Sequence, residues 1–579
     1  MVPYLMAPAW FFNNVELAYK ISLGQASLAF SLAAFPAYAL TRRMGVSAGG
    51  GLIVALLALL APDGAFSTNL LSEPYAYPVF LAMLVVAVDT IANPTRGRQF
   101  AVVTLMAVLC LVRIQFIIVP GAYALAALVY SRSPRVAARQ QWLVLAMFLL
   151  AACISVGIGI RRLAGVYAGI TTFRAPPGEM IRWFGVNVFI LAVASGWVIV
   201  PRAVAGFTTF LRSGTERQRA FTLLTIFLSV GLLGQAALFG ANEGRVLERY
   251  TFYLAPLIAI AFVHALEAAA PRDRLYRCTA FTGAAVAILV PAGSEIRRGA
   301  TDESPTILGL QSLAGGGPHA TLLWALMLAV AAMLVGPWMN GTRLTVFGAV
   351  LILGAVGVTG TRQLLKFGTS LGFELGANIT AVPRLNATHG TALLTGPRTN
   401  RFLLMQTLFW NPQVTRVIDL GSDGAPDGYA SIPVRIGEQG ELVDAHGAPV
   451  PGPFAFDSDT TAATFKGSGR VFPRLPQVIV FGLNQDDRYL ETVSQLYAAA
   501  NDRPFVVSMW LASPLGAKSL NFACGSHRWT ERITTRPRRV QIAVPRASRV
   551  ACRISLIAGI PVSHRKRTVS VMATRLSIA

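Results

Sequence analysis

The stretch Phe100–Tyr130, FAVVTLMAVLCLVRIQFIIVPGAYALAALVY, carries one charge, Arg113, near its middle, with Gln115 two residues on. As one helix these residues would be about 46 Å long, well over the ~30 Å hydrocarbon core of a bilayer. Such a helix would also leave Arg113 in lipid, at a cost of at least ~2.5 kcal/mol. Two shorter crossings, 100–112 and 116–130, avoid both problems by turning at Arg113. The stretch therefore reads as a membrane hairpin with Arg113 at the far interface.

On either side of the hairpin lie apolar runs at 21–40, 46–62, 76–92, 141–160, 187–203, 220–240, 250–269, 278–293, 319–337 and 344–360. Each is long enough to cross a bilayer as a helix, the form that pairs its own backbone groups in lipid. With the hairpin they give about twelve crossings within 21–365. Composition agrees: of 579 residues, 54% are apolar and 13% charged, against roughly 25% charged in an average soluble domain. Residues 1–20 hold Pro3, Tyr4, Trp10 and Phe11 but no basic leader or cleavage site, and read as a segment lying at the interface.

The net charge of +23 would suggest nucleic acid in a soluble protein, but its distribution argues against that partner. Residues 1–365 carry 26 Lys/Arg and 13 Asp/Glu in short clusters between apolar runs; 366–502 carry 10 and 13; 503–579 carry 14 and the single acid Glu531. With Arg42 and Arg43 placed inside, alternate loops hold 15 basic residues and the opposite loops nine. Cytoplasmic loops are the basic ones, so the N-terminus and everything after Leu365 are expected outside, in a multi-pass protein of the cell membrane. Asp89, His264 and Glu267 fall at cytoplasmic helix ends.

Two outer loops carry the chemistry. Pro62–Pro74 contains Asp63 and Asn69-Leu-Leu-Ser-Glu73-Pro74, where Glu73 opens a helix either as an ordinary acidic first turn or as a site carboxylate. Asn242–Pro256 packs Glu243, Arg245, Glu248, Arg249 and Tyr250 at the mouth of another helix. Arginines there can grip a phosphate through paired hydrogen bonds, or can neutralise Glu243 and Glu248 locally. Arg113 joins them from the hairpin, or simply snorkels to the interface.

Ala37-Tyr-Ala-Leu-Thr-Arg-Arg43, Ser72-Glu73-Pro74, the hairpin around Arg113-Ile-Gln115, and Glu248-Arg249-Tyr250 with Pro256 behind it resemble the C-fold (GT-C) membrane glycosyltransferases, over residues 1 to about 365. The nearer likeness is to protein O-mannosyltransferases and lipid A aminoarabinose transferases. The resemblance implies transfer of a sugar from a polyprenyl-phosphate donor to an envelope glycan, lipid or protein acceptor outside the cytoplasm. It implies that Glu73 is a second catalytic acid that helps hold the donor head or a divalent cation such as Mg or Mn. It further implies that Arg249 and Tyr250 hold the donor's lipid phosphate, to which Arg245 and Arg113, read from the residues alone, are added as candidate phosphate ligands. The family's proton-accepting Asp has no counterpart after Met1, because Pro3–Trp10 resembles the end of the loop that carries it; the resemblance places that Asp ahead of Met1. The alternative is a catalytically silent relative whose outer domain binds glycan or a partner.

After Lys366 the pattern shifts to short strands separated by turns. An extracytoplasmic α/β subdomain is expected over 366–502, with strands at 391–395, 414–420 and 476–483 and helices at 400–409 and 489–499. A basic antiparallel β-sandwich of jelly-roll type is expected over 503–579, with strands at 505–511, 519–524, 538–544, 550–558 and 568–577. Cys524 and Cys552 fall in two of those strands and are candidates for a disulfide; Arg528 and Trp529 are candidates for glycan contact. Cys110, Cys153 and Cys278 read as apolar packing residues.

Overall fold

The computed structural model describes residues 2–12, 15–68, 70–158, 173–196, 199–268 and 304–313, most of 274–283 and 346–363, and, beyond 363, chiefly the strands named below. The chain divides into two compact units, Met1–Phe367 and Gly368–Ala579.

The first unit is helical: α1 (Val2–Met6), α2 (Val15–Ser31), α3 (Ala34–Arg43), α4 (Ala48–Leu60), α5 (Glu73–Ala92), α6 (Arg96–Val112), α7 (Ile118–Ser131), α8 (Pro134–Gln140), α9 (Trp142–Ile158), α10 (Pro177–Ala194), α11 (Val200–Ser213), α12 (Glu216–Glu243), α13 (Ala255–Glu267) and α14 (Pro305–Leu313). Among the described residues six helical segments are long and apolar enough to cross a membrane: Leu17–Arg43, Glu73–Ala92, Ile114–Ser131, Pro177–Ala194, Glu216–Glu243 and Val346–Gln363. The chain is a multi-pass membrane protein. The expected runs at 278–293 and 319–337 lie largely or wholly outside the described residues.

The hairpin is present, with α6 and α7 meeting at Arg113 in extended backbone (φ −152°, ψ 112°). Its arms are not half-length, because α6 extends back to Arg96, where the Thr95 hydroxyl caps it. The run expected at 187–203 is not one span. α10 stops at Ala194, Gly196 turns the chain at φ +82°, and α11 begins at Val200. A positive φ is open to glycine at little steric cost, so apolar character continues through a point where the helix cannot. The α11–α13 contact is close at Gly206, where any side chain would meet the backbone of Ala261. In the N-terminal segment, Tyr4 and Phe11 are exposed.

At one end of the bundle, polar contacts join helices that are distant in sequence. Asp89 of α5 receives Arg43 of α3 at 2.9 Å and Arg217 of α12 at 2.8 Å. Glu267, ending α13, accepts from the Ser47 amide and hydroxyl ahead of α4. Gln218, part of the Thr215 capping box that starts α12, donates to the Met44 carbonyl at 2.7 Å. Asp89 and Glu267 thus tie helices together. Glu73 and Arg113 lie at the opposite end of α5 and of the hairpin.

In the second unit, β1 (Ala392–Thr395), β2 (Arg416–Asp419), β3 (Ala430–Pro433) and β6 (Phe454–Phe456) form a parallel sheet in the order β3-β2-β1-β6, and β4 (Arg435–Ile436) pairs with β5 (Leu442–Val443). Two antiparallel sheets follow, β11-β10-β13-β8 and β12-β9-β14-β7, from β7 (Val478–Phe481), β8 (Glu491–Tyr497), β9 (Phe505–Ala512), β10 (Ser519–Cys524), β11 (His527–Arg532), β12 (Arg538–Val544), β13 (Ala551–Ile557) and β14 (Val571–Ile578). The helix expected at 489–499 is therefore corrected to a strand: Glu491–Tyr497 pairs antiparallel with Ala551–Ile557. Thr492, Val493 and Tyr497 suit a strand, and a long-range ladder overrides weak local helix preference. β7 and β8, placed by the sequence in a subdomain ending at 502, pair instead with strands after 505. The helix expected at 400–409 lies, Leu408 apart, outside the described residues.

Candidate functional site

Glu73 begins α5 behind Ser72, whose side chain makes no cap hydrogen bond. Its carboxylate does not face the helix end alone: it forms an ion pair with Arg113, delivered by the extended turn of the hairpin. Both side chains are buried, Glu73 at 1% exposure and Arg113 at 9%. Arg113 also reaches the Ser72 hydroxyl at 3.4 Å. Arg113 is thus held inside the protein and does not snorkel.

The second loop arrives from α12. Gly244, at φ +67°, ends that helix in the left-handed conformation and turns the chain into Arg245–Tyr250. Tyr250 is buried, with Phe239 at 5.1 Å between ring centroids. Two guanidinium groups face its ring, Arg113 at 5.2 Å and Arg249 at 5.7 Å from the centroid. Glu73, Arg113, Arg249 and Tyr250, which the sequence places in three separate segments, therefore form one constellation.

Arg245 makes an exposed ion pair with Glu243, its Nε 2.6 Å from the carboxylate, which is the local neutralisation that the sequence offered as the alternative to phosphate binding. Glu248 draws its hydrogen-bond donors from a distant segment. It is fully buried and accepts from the Ser304 hydroxyl at 2.6 Å, the Thr306 amide at 3.2 Å and the Thr306 hydroxyl. Its carboxyl also lies within hydrogen-bonding reach of Asp63, which is equally buried. Burial pushes the Asp63 carboxyl well above the usual carboxylate range, and the charge of Glu248 adds to this. Burial raises Glu248 as well, against the pull of its Ser304 and Thr306 donors.

Beneath these groups lies an aromatic wall. Tyr253 packs edge-on against Phe80 at 5.3 Å and Phe116 at 4.8 Å, and Tyr77 packs against Phe252 at 5.1 Å. The Tyr253 hydroxyl and the Gln115 amide are buried and, among the described residues, meet no hydrogen-bond partner. Asp63 and Glu248 stood in the two outer loops that the sequence singles out, but their approach to each other did not show there, and Ser304, Thr306 and Tyr253 were not readable as site residues, because each gains its role from a segment far away in the chain. The one available signal was an acid, Asp63, placed directly after an apolar run.

A divalent ion at Glu73 does not fit this donor set. The facing group is the Arg113 guanidinium, a fixed positive charge, and among the described residues no three His, Cys, Asp or Glu side chains gather to hold a metal ion.

In the second unit, Arg528 and Trp529 are neighbours on β11, the last strand of its sheet. Successive side chains of a strand point to opposite faces, so the two cannot share a ligand on one face; Arg528 is exposed and Trp529 half-buried. Cys524 and Cys552 stand directly opposite each other in the β10–β13 ladder.

No family model matches the chain, and no curated protein does. Among solved structures the chain is similar to ArnT from Cupriavidus metallidurans in the apo state, at 15% identity over 70% of this chain and 72% of that one, with a TM-score of 0.42. It is similar to the same protein bound to undecaprenyl phosphate, at 14% identity over 72% and 75%, TM-score 0.44. It is also similar to arabinosyltransferase EmbB from Mycobacterium smegmatis, at 12% identity over 94% of this chain and 57% of that one, TM-score 0.31.

Proposed function

We propose that this chain is a membrane glycosyltransferase that moves a sugar from a polyprenyl-phosphate carrier to an envelope acceptor on the non-cytoplasmic side. The observation that carries the reading is the pair of guanidinium groups, Arg113 and Arg249, over the one Tyr250 ring at the end of the bundle opposite the Asp89 contacts. A phosphate leaving group gathers negative charge as the anomeric C–O bond breaks, and fixed guanidinium groups in a water-poor site stabilise that charge. Phosphate is also the partner that arginine binds best through paired hydrogen bonds.

Glu73 then holds Arg113 in place, since its carboxylate is already paired with that guanidinium. No proton-transfer step is assigned to it. Tyr250 supports both arginines through its ring face. The hydrocarbon tail of the carrier lies among the apolar helix surfaces, and the two antiparallel sheets of the second unit, taken as a β-sandwich, guide the acceptor glycan.

The test uses the full chain in proteoliposomes supplied with a polyprenyl-phosphate sugar. Arg249→Ala and Glu73→Gln each lower transfer, and Arg249→Ala weakens retention of undecaprenyl phosphate. Unchanged transfer and retention in both variants would overturn the reading.

A further inference from the structure

Two carboxyl groups of the helical unit meet, and among the described residues neither forms an ion pair. Asp63 opens the segment Pro62–Thr68 and Glu248 opens Glu248–Tyr250; both are fully buried, with their carboxyls in hydrogen-bonding reach. Their surroundings differ. Glu248 collects hydroxyl and amide donors from Ser304 and Thr306, which stabilise a carboxylate. Neither Asp63 oxygen receives a hydrogen bond from another residue among those described. Two carboxylates at this separation repel, and what makes the contact attractive is a proton between them. The donors assign the charge to Glu248 and the proton to Asp63.

The bond joins three segments. Arg249 and Tyr250 follow Glu248 directly, Glu73 opens the helix after the Asp63 segment, and Ser304 and Thr306 come from the start of α14. We propose that Asp63 is a positioning residue of the site: its carboxyl shares one proton with Glu248, and this bond keeps Arg249 and Tyr250 against the Glu73–Arg113 pair. Among the described residues the other ionisable groups around it are Tyr77 of α5, and Tyr253, which in turn senses Arg113, Glu73 and Arg249. α14 carries no ionisable side chain, and those of α2 are Glu16, Tyr19 and Lys20, in its first six residues.

The sign of the pH dependence follows. A buried acid that binds its proton more tightly when folded contributes stability that is complete below the unfolded pKa, about 4, and is lost as pH rises through the folded value. The bond therefore weakens on the alkaline side. The asparagine amide can donate to Glu248 without ever ionising, which separates the hydrogen bond from its titration.

The experiment follows the full chain in nanodiscs from pH 5 to 9. The readouts are the thermal unfolding midpoint and amide hydrogen exchange over 245–254, with the variants compared at each pH. Wild type loses stability as pH rises; Asp63→Asn loses the pH slope and keeps protection of 245–254 within twofold of the wild-type value at pH 5. Asp63→Ala exchanges at least tenfold faster there at every pH. Asp63→Asn with the wild-type slope, or Asp63→Ala with wild-type protection, overturns the proposal. So does restoration of alkaline stability by millimolar Mg or Ca, which would place a cation where the proton is assigned. The link to function rests on the donor-site reading of Arg249 and Tyr250. Undecaprenyl phosphate binding tests that reading separately: if wild type fails to bind, the reading falls, while slope and exchange still decide the role of the pair.

Discussion

Glu73→Gln leaves the Arg113 guanidinium in the protein at 9% exposure with its main countercharge removed. The Ser72 hydroxyl, 3.4 Å away, offers at most a weak neutral contact. Removing one partner of a buried pair costs about 3–5 kcal/mol, because the surviving charge stays desolvated. Arg113→Met strands the Glu73 carboxylate at 1% exposure and belongs in the same range. The double variant carries no buried charge, keeps similar volume, and is expected to unfold within about 1 kcal/mol of wild type. Unfolding of the four proteins in mixed micelles closes a double-mutant cycle, with an expected coupling of at least about 3 kcal/mol. Additivity within ~0.5 kcal/mol, the behaviour of independent sites, would refute the pairing. So would single variants that each cost less than ~1 kcal/mol, the range of an exposed ion pair.

Other consequences are as direct. Arg249→Ala weakens undecaprenyl phosphate retention by roughly tenfold or more, the scale of one charge-assisted hydrogen bond, whereas Arg245→Ala, in its exposed pair with Glu243, changes it by less than about twofold; a binding titration of both separates them. Gly206→Leu drives a side chain into the Ala261 backbone and destabilises the helical unit by about 1–3 kcal/mol, read from the unfolding midpoint. Cys524 and Cys552, opposite in the ladder, are predicted to cross-link; peptide mapping without reductant finds the bridge, and reduction costs the second unit about 3 kcal/mol. Recovery of both thiols free from the native membrane would remove that pairing.

What was legible in the sequence was what a single residue can force. Arg113 inside an apolar stretch had to mark a turn, because hydrocarbon does not tolerate a stranded guanidinium, and the turn is there. Glu73, Arg249 and Tyr250 were visible as unusual residues at helix mouths, and the structure brings them together through Arg113. Features decided by distant partners were illegible. Glu248 stands beside Arg249, so local reasoning offered that arginine as one possible partner and had no means of finding Ser304 and Thr306, more than fifty residues on. The break at Ser195–Gly196 left no trace in hydropathy, since neighbouring residues remain apolar across it. Glu491–Tyr497 joined a sheet because β13 lay alongside it, a fact absent from those seven residues.

The contacts of Asp89, Glu267 and Gln218 at one end of the helical unit have a mechanical side. Arg43, Arg217, Ser47 and Met44 bind α3, α4, α5, α12 and α13 to one another there through charges and backbone carbonyls that cannot be exchanged for lipid without loss. Among the described residues the other end is joined by the Glu73–Arg113 ion pair and by the hydrogen bonds that Ser304 and Thr306 donate to Glu248. Asp89, which takes an arginine from each of two other helices, is the point at which α3, α5 and α12 are fastened to one another.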